Sequence, residues 1–250
     1  MSTAQSRFAV FVLIVLAGPA AVILLGGPAL AGPGKLVLIF GPALAGWALN
    51  RGLGDRGHRA DWRGVGLAGL VTLGLSATAL VAAYLGGAVA LSTAMPPSAG
   101  VAAVGGTLLT SVLEELGWAG GGLGLATAAF GRRWGVAILG VVWACWHLIP
   151  AHLNIGMFAV LATAPLVLTL SFIVCCVVFR ELLTQLRERA QTWWAAAAGH
   201  AVPNMFLAGM TALGLTGLDR PHPWWLLPAP GGLVFLGLAT AAAVALSRRT

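Results

Sequence analysis

Two adjacent glutamates lie in the middle of a long apolar stretch of the chain. Glu114 and Glu115 are the only charged residues between Val101 and Phe130. A charged side chain at the centre of a membrane helix costs about 2.5 to 3.5 kcal/mol on insertion scales. Such residues mark functional sites by default, so we interpret the pair as part of an intramembrane site. A helix end that reaches the membrane interface, where carboxylates are tolerated, is the alternative.

Two further polar groups occur in later apolar stretches. Trp143 and His147 are four residues apart and therefore lie on one face of a helix, with the indole next to the imidazole. His200 and Asn204 share a helix face in the same way. Taken singly, each group is also compatible with ordinary structural hydrogen bonding between helices.

Together, the three groups have the chemistry of a hydrolytic site. They supply a general base, groups that orient water, and donors for a developing oxyanion. The Ser, Thr and Cys residues are scattered without a matching base, which favours an activated water over a covalent nucleophile. The residue types therefore indicate hydrolysis inside a membrane.

A metal cofactor stays open at this stage. Glu114, His147 and His200 are side chains of the kind that bind a divalent metal such as zinc. They are spread over three segments, however, and the chain has no HExxH spacing, so the ligand pattern is weak. We assign no cofactor and treat zinc as a possibility.

The composition requires a membrane to position these residues. Hydrophobic residues make up 59% of the 250 and charged residues 8%, and the mean hydropathy is +0.92. Soluble domains carry about 25% charged residues. The net charge of +7 does not indicate nucleic acid, because the basic residues fall in short loops between apolar runs. The expected fold class is all-α, a polytopic membrane helix bundle with lipid as its surroundings.

About eight apolar segments are long enough to span a membrane, since about 20 helical residues cross its core. We treat residues 1–250 as one transmembrane domain, although residues 8–28 also have some features of a signal peptide. The predicted spans are 8–28, 34–50, 64–91, 100–129, 134–151, 157–179, 192–215 and 230–246.

The distribution of arginine predicts the orientation of the eight spans. Cytoplasmic loops accumulate Lys and Arg, and 12 of the 14 basic residues fall on one side if the amino terminus is cytoplasmic. We therefore expect a multi-pass protein of the cell membrane with both termini in the cytoplasm. The segment from Arg180 to Gln191, with Leu182, Leu183 and Leu186 on one face, is expected to lie along the inner interface.

The ordered set of polar groups resembles the CPBP or Abi family of membrane proteins, which includes the type II CAAX prenyl endopeptidases. That family's pattern is Glu-Glu-x-x-x-Arg, then aromatic-x-x-x-His, then His-x-x-x-Asn or Asp. Residues 100–215 contain matching groups in the same order and spacing. The resemblance implies that Glu114 activates water, His147 helps to bind it, and His200 with Asn204 stabilises the oxyanion. It also implies a membrane-associated or lipidated peptide or protein as substrate.

One position departs from the family pattern. Ala119 stands where the pattern has arginine, so Glu115 lacks the partner four residues away that would keep it ionised. We expect Glu115 to be either protonated or paired with a residue from another helix. The departure also raises the alternative of a catalytically silent scaffold or immunity-type binding protein. A transporter or proton-coupled channel, which would use the carboxylates as a relay, is a further alternative.

The depth of the site depends on whether the first helix is straight. At 1.5 Å per residue, Glu114 lies about 24 Å from Phe130, whereas His200 lies about 12 Å from Thr192. A helix break at Gly120 to Gly122 would bring the glutamates closer to the cytoplasmic side.

Overall fold

The computed structural model describes residues 2–26, 31–50, 60–152, 159–162, 165–216 and 224–248. Within these residues the chain is a helix bundle, which confirms the expected all-helical class. Its helices are α1 (Thr3–Gly26), α2 (Ala31–Leu49), α3 (Trp62–Leu85), α4 (Pro97–Gly117), α5 (Leu123–His152), α6 (Leu166–Ala190), α7 (Trp193–Ala212) and α8 (Leu233–Ser247). The short elements are a π-helix at Trp118–Gly122, 3-10 helices at Ala159–Ala162 and Trp224–Leu226, and two strands, β1 (Ala90–Leu91) and β2 (Leu215–Thr216), paired antiparallel.

Four helical stretches in the described part of the chain are long and apolar enough to cross a membrane. They are Thr3–Ala21, Trp62–Leu85, Pro97–Ile149 and Leu166–Ala190. Val37–Leu49 and Leu233–Ser247 are apolar but shorter. The membrane character of the bundle is thereby supported, and the number of about eight spans stays a prediction.

The long stretch from α4 through α5 contains a reversal. Gly131 has φ 74° and ψ 166°, a conformation that only glycine adopts without strain. Gly135 lies directly on the preceding helix, because a Cβ there would come within 2.7 Å of the Ala126 carbonyl. The two parts of α5 are therefore antiparallel. Glu114 and His147, about 26 Å before and 24 Å after Gly131 along the helices, therefore come to similar heights.

Arginine-rich helix ends meet at one end of the bundle, which we call the basic end. Five segments lie there: the starts of α1 and α3, the reversal in α5, and the ends of α6 and α8. The contacts that join them are Phe8 edge-on against Phe130 at 5.5 Å, Arg132 with Glu188 at 2.8 Å, the Asp61 N–H donating to the Ala190 carbonyl at 3.0 Å, and Arg189 donating to the Leu246 carbonyl.

Helix α6 corrects one expectation. It continues without interruption to Ala190, so residues 180–191 do not form a separate interfacial segment. Leu182, Leu183 and Leu186 are buried in the core of the bundle, and Arg180 is 1% exposed. The apolar face that suggested an interfacial helix is instead packed against other helices, which also removes Arg180 from the set of loop arginines.

Helix α4 lies directly against the backbone of α2 at Gly117. A Cβ at Gly117 would lie 2.4 Å from the Pro42 carbonyl carbon, so the backbone of α2 would have to move. We expect Gly117→Ala to lower the unfolding free energy by about 1 to 3 kcal/mol, as overpacked cores do. Gly105→Ala in the same helix is the control, since nothing lies within 4 Å of its added Cβ. Thermal unfolding in detergent measures both, and equal melting temperatures would contradict the expected clash.

Candidate active site

A cavity of about 300 Å³ lies in the interior of the bundle. Glu114, His147, His200 and Asn204 line it, so four of the five residues predicted from the sequence face one space. Three of them are nearly inaccessible, at 2% exposure for Glu114, 7% for His147 and 5% for His200. Glu115, fully buried, is not among the lining residues.

The helical periods of α4 and α7 explain which side chains face the cavity. Thr107, Thr110 and Glu114 are three and four residues apart in α4, and therefore share one face. The cavity-facing residues of α7 follow the same spacing from His200 through Asn204 to Thr211. Helix α5 contributes Trp143 and His147, and the remaining walls, mostly apolar, come from α3, α6, α8 and the segment before α8, with Ser76, Phe172, Cys176, Phe179, Ala229, Pro230 and Phe235.

Behind the cavity, Glu115 forms an ion pair with an arginine of another helix. The Arg180 guanidinium donates from both terminal nitrogens to the Glu115 carboxylate, at 2.6 and 2.9 Å. The His200 ring contacts the same carboxylate through Nδ1 at 3.0 Å. Both side chains of the ion pair are at most 1% exposed. Of the two states expected for Glu115, pairing across helices is the one observed.

Arg180 also reaches the other glutamate through an aromatic ring. Its guanidinium carbon lies 4.2 Å from the centre of the Trp143 ring, a cation–π contact. The indole N–H of Trp143 in turn points to the Glu114 carboxylate at 3.5 Å. The buried Arg180 guanidinium thus contacts Glu115 directly and Glu114 through the Trp143 ring. Glu115 in turn contacts His200.

The imidazole of His147 has a defined tautomer in this arrangement. Its Nδ1 lies 2.9 Å from the Trp143 carbonyl oxygen, which can only accept, so Nδ1 carries the proton. In the neutral ring, Nε2 is then the acceptor. Edge-to-face contacts with Trp143, Trp146 and Phe172, at 5.3, 4.8 and 5.8 Å, fix the ring plane.

Asn204 is oriented by a serine of α4. Its Nδ2 donates to the Ser111 hydroxyl at 3.1 Å, and Ser111 is 1% exposed. An amide nitrogen carries two hydrogens, so one remains for a bound substrate. Two side chains of α4, Glu115 and Ser111, thus hold His200 and Asn204 of α7 through contacts at 3.0 and 3.1 Å.

Sequence reasoning missed Arg180 and Ser111. From the sequence alone, Arg180 falls among the loop arginines, although Phe179 before it and Leu182 and Leu183 after it continue a buried helical pattern. That pattern was the available signal. The chain forms a π-helical turn at Trp118–Gly122, where a helix break was one of two alternatives, and Glu115 contacts His200 directly.

The donor set does not form a metal site in the described residues. No group of three His, Cys, Asp or Glu side chains there is spaced to hold an ion. One nitrogen of each histidine is already committed, Nδ1 of His147 to a carbonyl and Nδ1 of His200 to Glu115. We therefore derive the chemistry of the site from the protein's own groups.

The fold and the site together define a membrane helix bundle with a buried carboxylate–histidine–asparagine centre. Residues 96–206 match the family model described as Type II CAAX prenyl endopeptidase Rce1-like. This match agrees with the resemblance recognised from the sequence motifs: the segment, which is less than half of the chain, is similar to the type II CAAX prenyl endopeptidases, a family of peptidases. All five predicted site residues lie within the matched segment. No curated protein matches the chain.

Proposed function

We propose that the protein is an intramembrane endopeptidase that hydrolyses a peptide bond of a membrane-associated or lipidated protein or peptide. The observation that carries the proposal is the convergence of Glu114, His147, His200 and Asn204 on one cavity. The similarity of residues 96–206 to a peptidase family supports the same reaction. The position of the arginines at one end of the bundle supports a multi-pass protein whose termini are both cytoplasmic.

The first step is the attack of water on the scissile carbonyl carbon. The Glu114 carboxylate accepts a proton from the water while a carbon–oxygen bond forms. Nε2 of His147, the acceptor atom of that ring, holds the same water in position. The carbonyl electron pair moves to oxygen, and the remaining N–H of Asn204 donates to the resulting oxyanion.

His200 completes the oxyanion site. The Glu115 carboxylate can only accept, so Nδ1 of His200 donates to it, and the oxyanion role of this ring requires a second proton on Nε2. With Nδ1 bonded to Glu115, the protonated ring donates to the oxyanion from Nε2. In the second step the carbon–nitrogen bond breaks, and Glu114 delivers its proton to the leaving amine.

The ion pair of Glu115 favours this proposal over a silent scaffold. Ala119 stands where the motif has an arginine partner for Glu115. Arg180 of α6 instead donates two hydrogen bonds to the Glu115 carboxylate. A protein retained only for binding would not need a buried ion pair behind the cavity, since apolar side chains of similar volume are equally stable there or more so.

The test is cleavage of membrane-anchored peptides by the purified protein in lipid vesicles. A library that includes lipidated and unlipidated members also shows whether the lipid is needed. We expect products from the wild type and a rate about 100-fold lower for His147→Ala, because the water loses one acceptor. Empty vesicles are the blank. No products from a correctly folded wild type with any member would contradict the proposal and favour the scaffold.

A further inference from the structure

The cavity extends from the catalytic side chains in one direction, away from the basic end. Helix α7 starts at the basic end, and its lining residues continue from His200 to Thr211, about 16 Å further along the helix. Helix α4 runs the opposite way, and its lining residues continue from Glu114 back to Thr107, about 10 Å further from the basic end.

The burial of the lining residues changes along this path. Near the catalytic end, Glu114, His147 and His200 are buried. At the far end the lining residues are partly exposed, and these are Thr107, Thr110, Leu207, Ala208, Thr211, Ala229 and Pro230. In the described part of the chain, the cavity therefore opens at the end that lies opposite the arginines.

The other direction is closed by the ion pair and by the core of α6. Arg180 and Glu115 lie behind the catalytic side chains, at 1% and 0% exposure. Between Arg180 and the basic end, Leu182 and Leu183 are fully buried and Leu186 is 4% exposed. A substrate that approached from the basic end would have to displace this packed layer.

We propose that substrate enters the site from the end of the bundle opposite the basic residues, which is the extracytoplasmic face if the arginines are cytoplasmic. The substrates would then be membrane-anchored proteins whose scissile segment lies on that face. The statement about substrate rests on the proposed peptidase function, whereas the direction of access does not.

The lining of the entrance indicates the kind of segment that fits. Thr107, Thr110 and Thr211 donate their hydroxyl hydrogens to carbonyls of their own helices, so their oxygens remain as acceptors. The other entrance residues are apolar, and the charged groups of the cavity are confined to its catalytic end. An extended, uncharged segment can bond its main-chain N–H groups to these oxygens, whereas an acidic residue finds no cationic partner among the described lining residues.

Cysteine labelling tests the direction of access in the full-length protein without requiring activity. Thr211→Cys is placed at the entrance and Ser247→Cys, exposed at the end of α8, at the basic end. A membrane-impermeant maleimide is applied to each side of sealed vesicles in turn. The wild type, with Cys145, Cys175 and Cys176, gives the background.

We expect Thr211→Cys to react from the extracytoplasmic side and Ser247→Cys from the cytoplasmic side, each at least 10-fold above background. Reaction of Thr211→Cys from the cytoplasmic side, or from neither side while Ser247→Cys reacts, would overturn the proposal. Cleavage is measured separately: labelling as expected without any cleavage would leave the access route intact and refute the peptidase function.

Discussion

Replacing Glu114 by glutamine is expected to lower kcat/KM by about 100-fold to 10,000-fold, the range that a general base contributes. The substitution keeps the size of the side chain and an oxygen that accepts from Trp143, but it removes the group that takes the proton from water. Glu114 lies at 2% exposure in the wall of the cavity, so buffer has little access to replace it. Initial cleavage rates in vesicles measure the loss.

A matched control separates this effect from a general loss of charge. Glu181→Gln also removes one carboxylate, but Glu181 pairs with Arg132 at the basic end and is partly exposed. We expect its activity to stay within about 3-fold of the wild type, because exposed ion pairs contribute little. Glu114→Gln should retain the wild-type melting temperature, since glutamine has the same size and keeps an oxygen that accepts from the Trp143 indole. Equal activity of the two variants would refute the role of Glu114.

Replacing Arg180 by methionine is expected to cost about 3 to 5 kcal/mol of stability, the effect of leaving one member of a buried ion pair alone. Glu115 would keep its full burial but lose both guanidinium hydrogen bonds, and Trp143 would lose the cation above its ring. Thermal or denaturant unfolding in detergent measures the loss. Because exposed pairs stabilise by at most about 1 kcal/mol, Arg132→Met is the control.

The double variant Glu115→Met with Arg180→Met distinguishes the pair from simple packing. It removes both charges and leaves apolar side chains, so we expect it to be more stable than Arg180→Met alone. Activity should not return, because His200 loses the carboxylate that holds its Nδ1. If Arg180→Met unfolds at the same temperature as Arg132→Met, the ion pair does not hold the site together.

Much of the site could be predicted because its chemistry contrasts with the surrounding sequence. Glu114, His147 and His200 are among the few ionisable residues in apolar segments, and the four-residue spacing of His200 and Asn204 places both on one face of α7. The structure brings these residues to the same cavity. Their catalytic roles depend on substrate and remain predictions.

The partners of Glu115 and Asn204 could not be predicted, because they come from packing between helices. Arg180 is 65 residues from Glu115, and Ser111 is 93 residues from Asn204. Spacing rules predict neighbours on one helix, not which faces of different helices meet. The reversal at Gly131 was implied by the gap between two predicted spans. The spans do not predict the packing of Gly135 on Ala126, since that contact depends on the absence of a side chain at Gly135.

The central claim, that Glu114 activates a water for direct attack on the peptide bond, is tested most directly by a single turnover in ¹⁸O-labelled water with hydroxylamine present. The substrate is a peptide that the wild type cleaves in vesicles. We predict a product with one ¹⁸O in its new carboxyl terminus, no hydroxamate, and no product from Glu114→Gln in the same time. A hydroxamate would reveal a covalent acyl intermediate, and either it or undiminished cleavage by Glu114→Gln would contradict the claim.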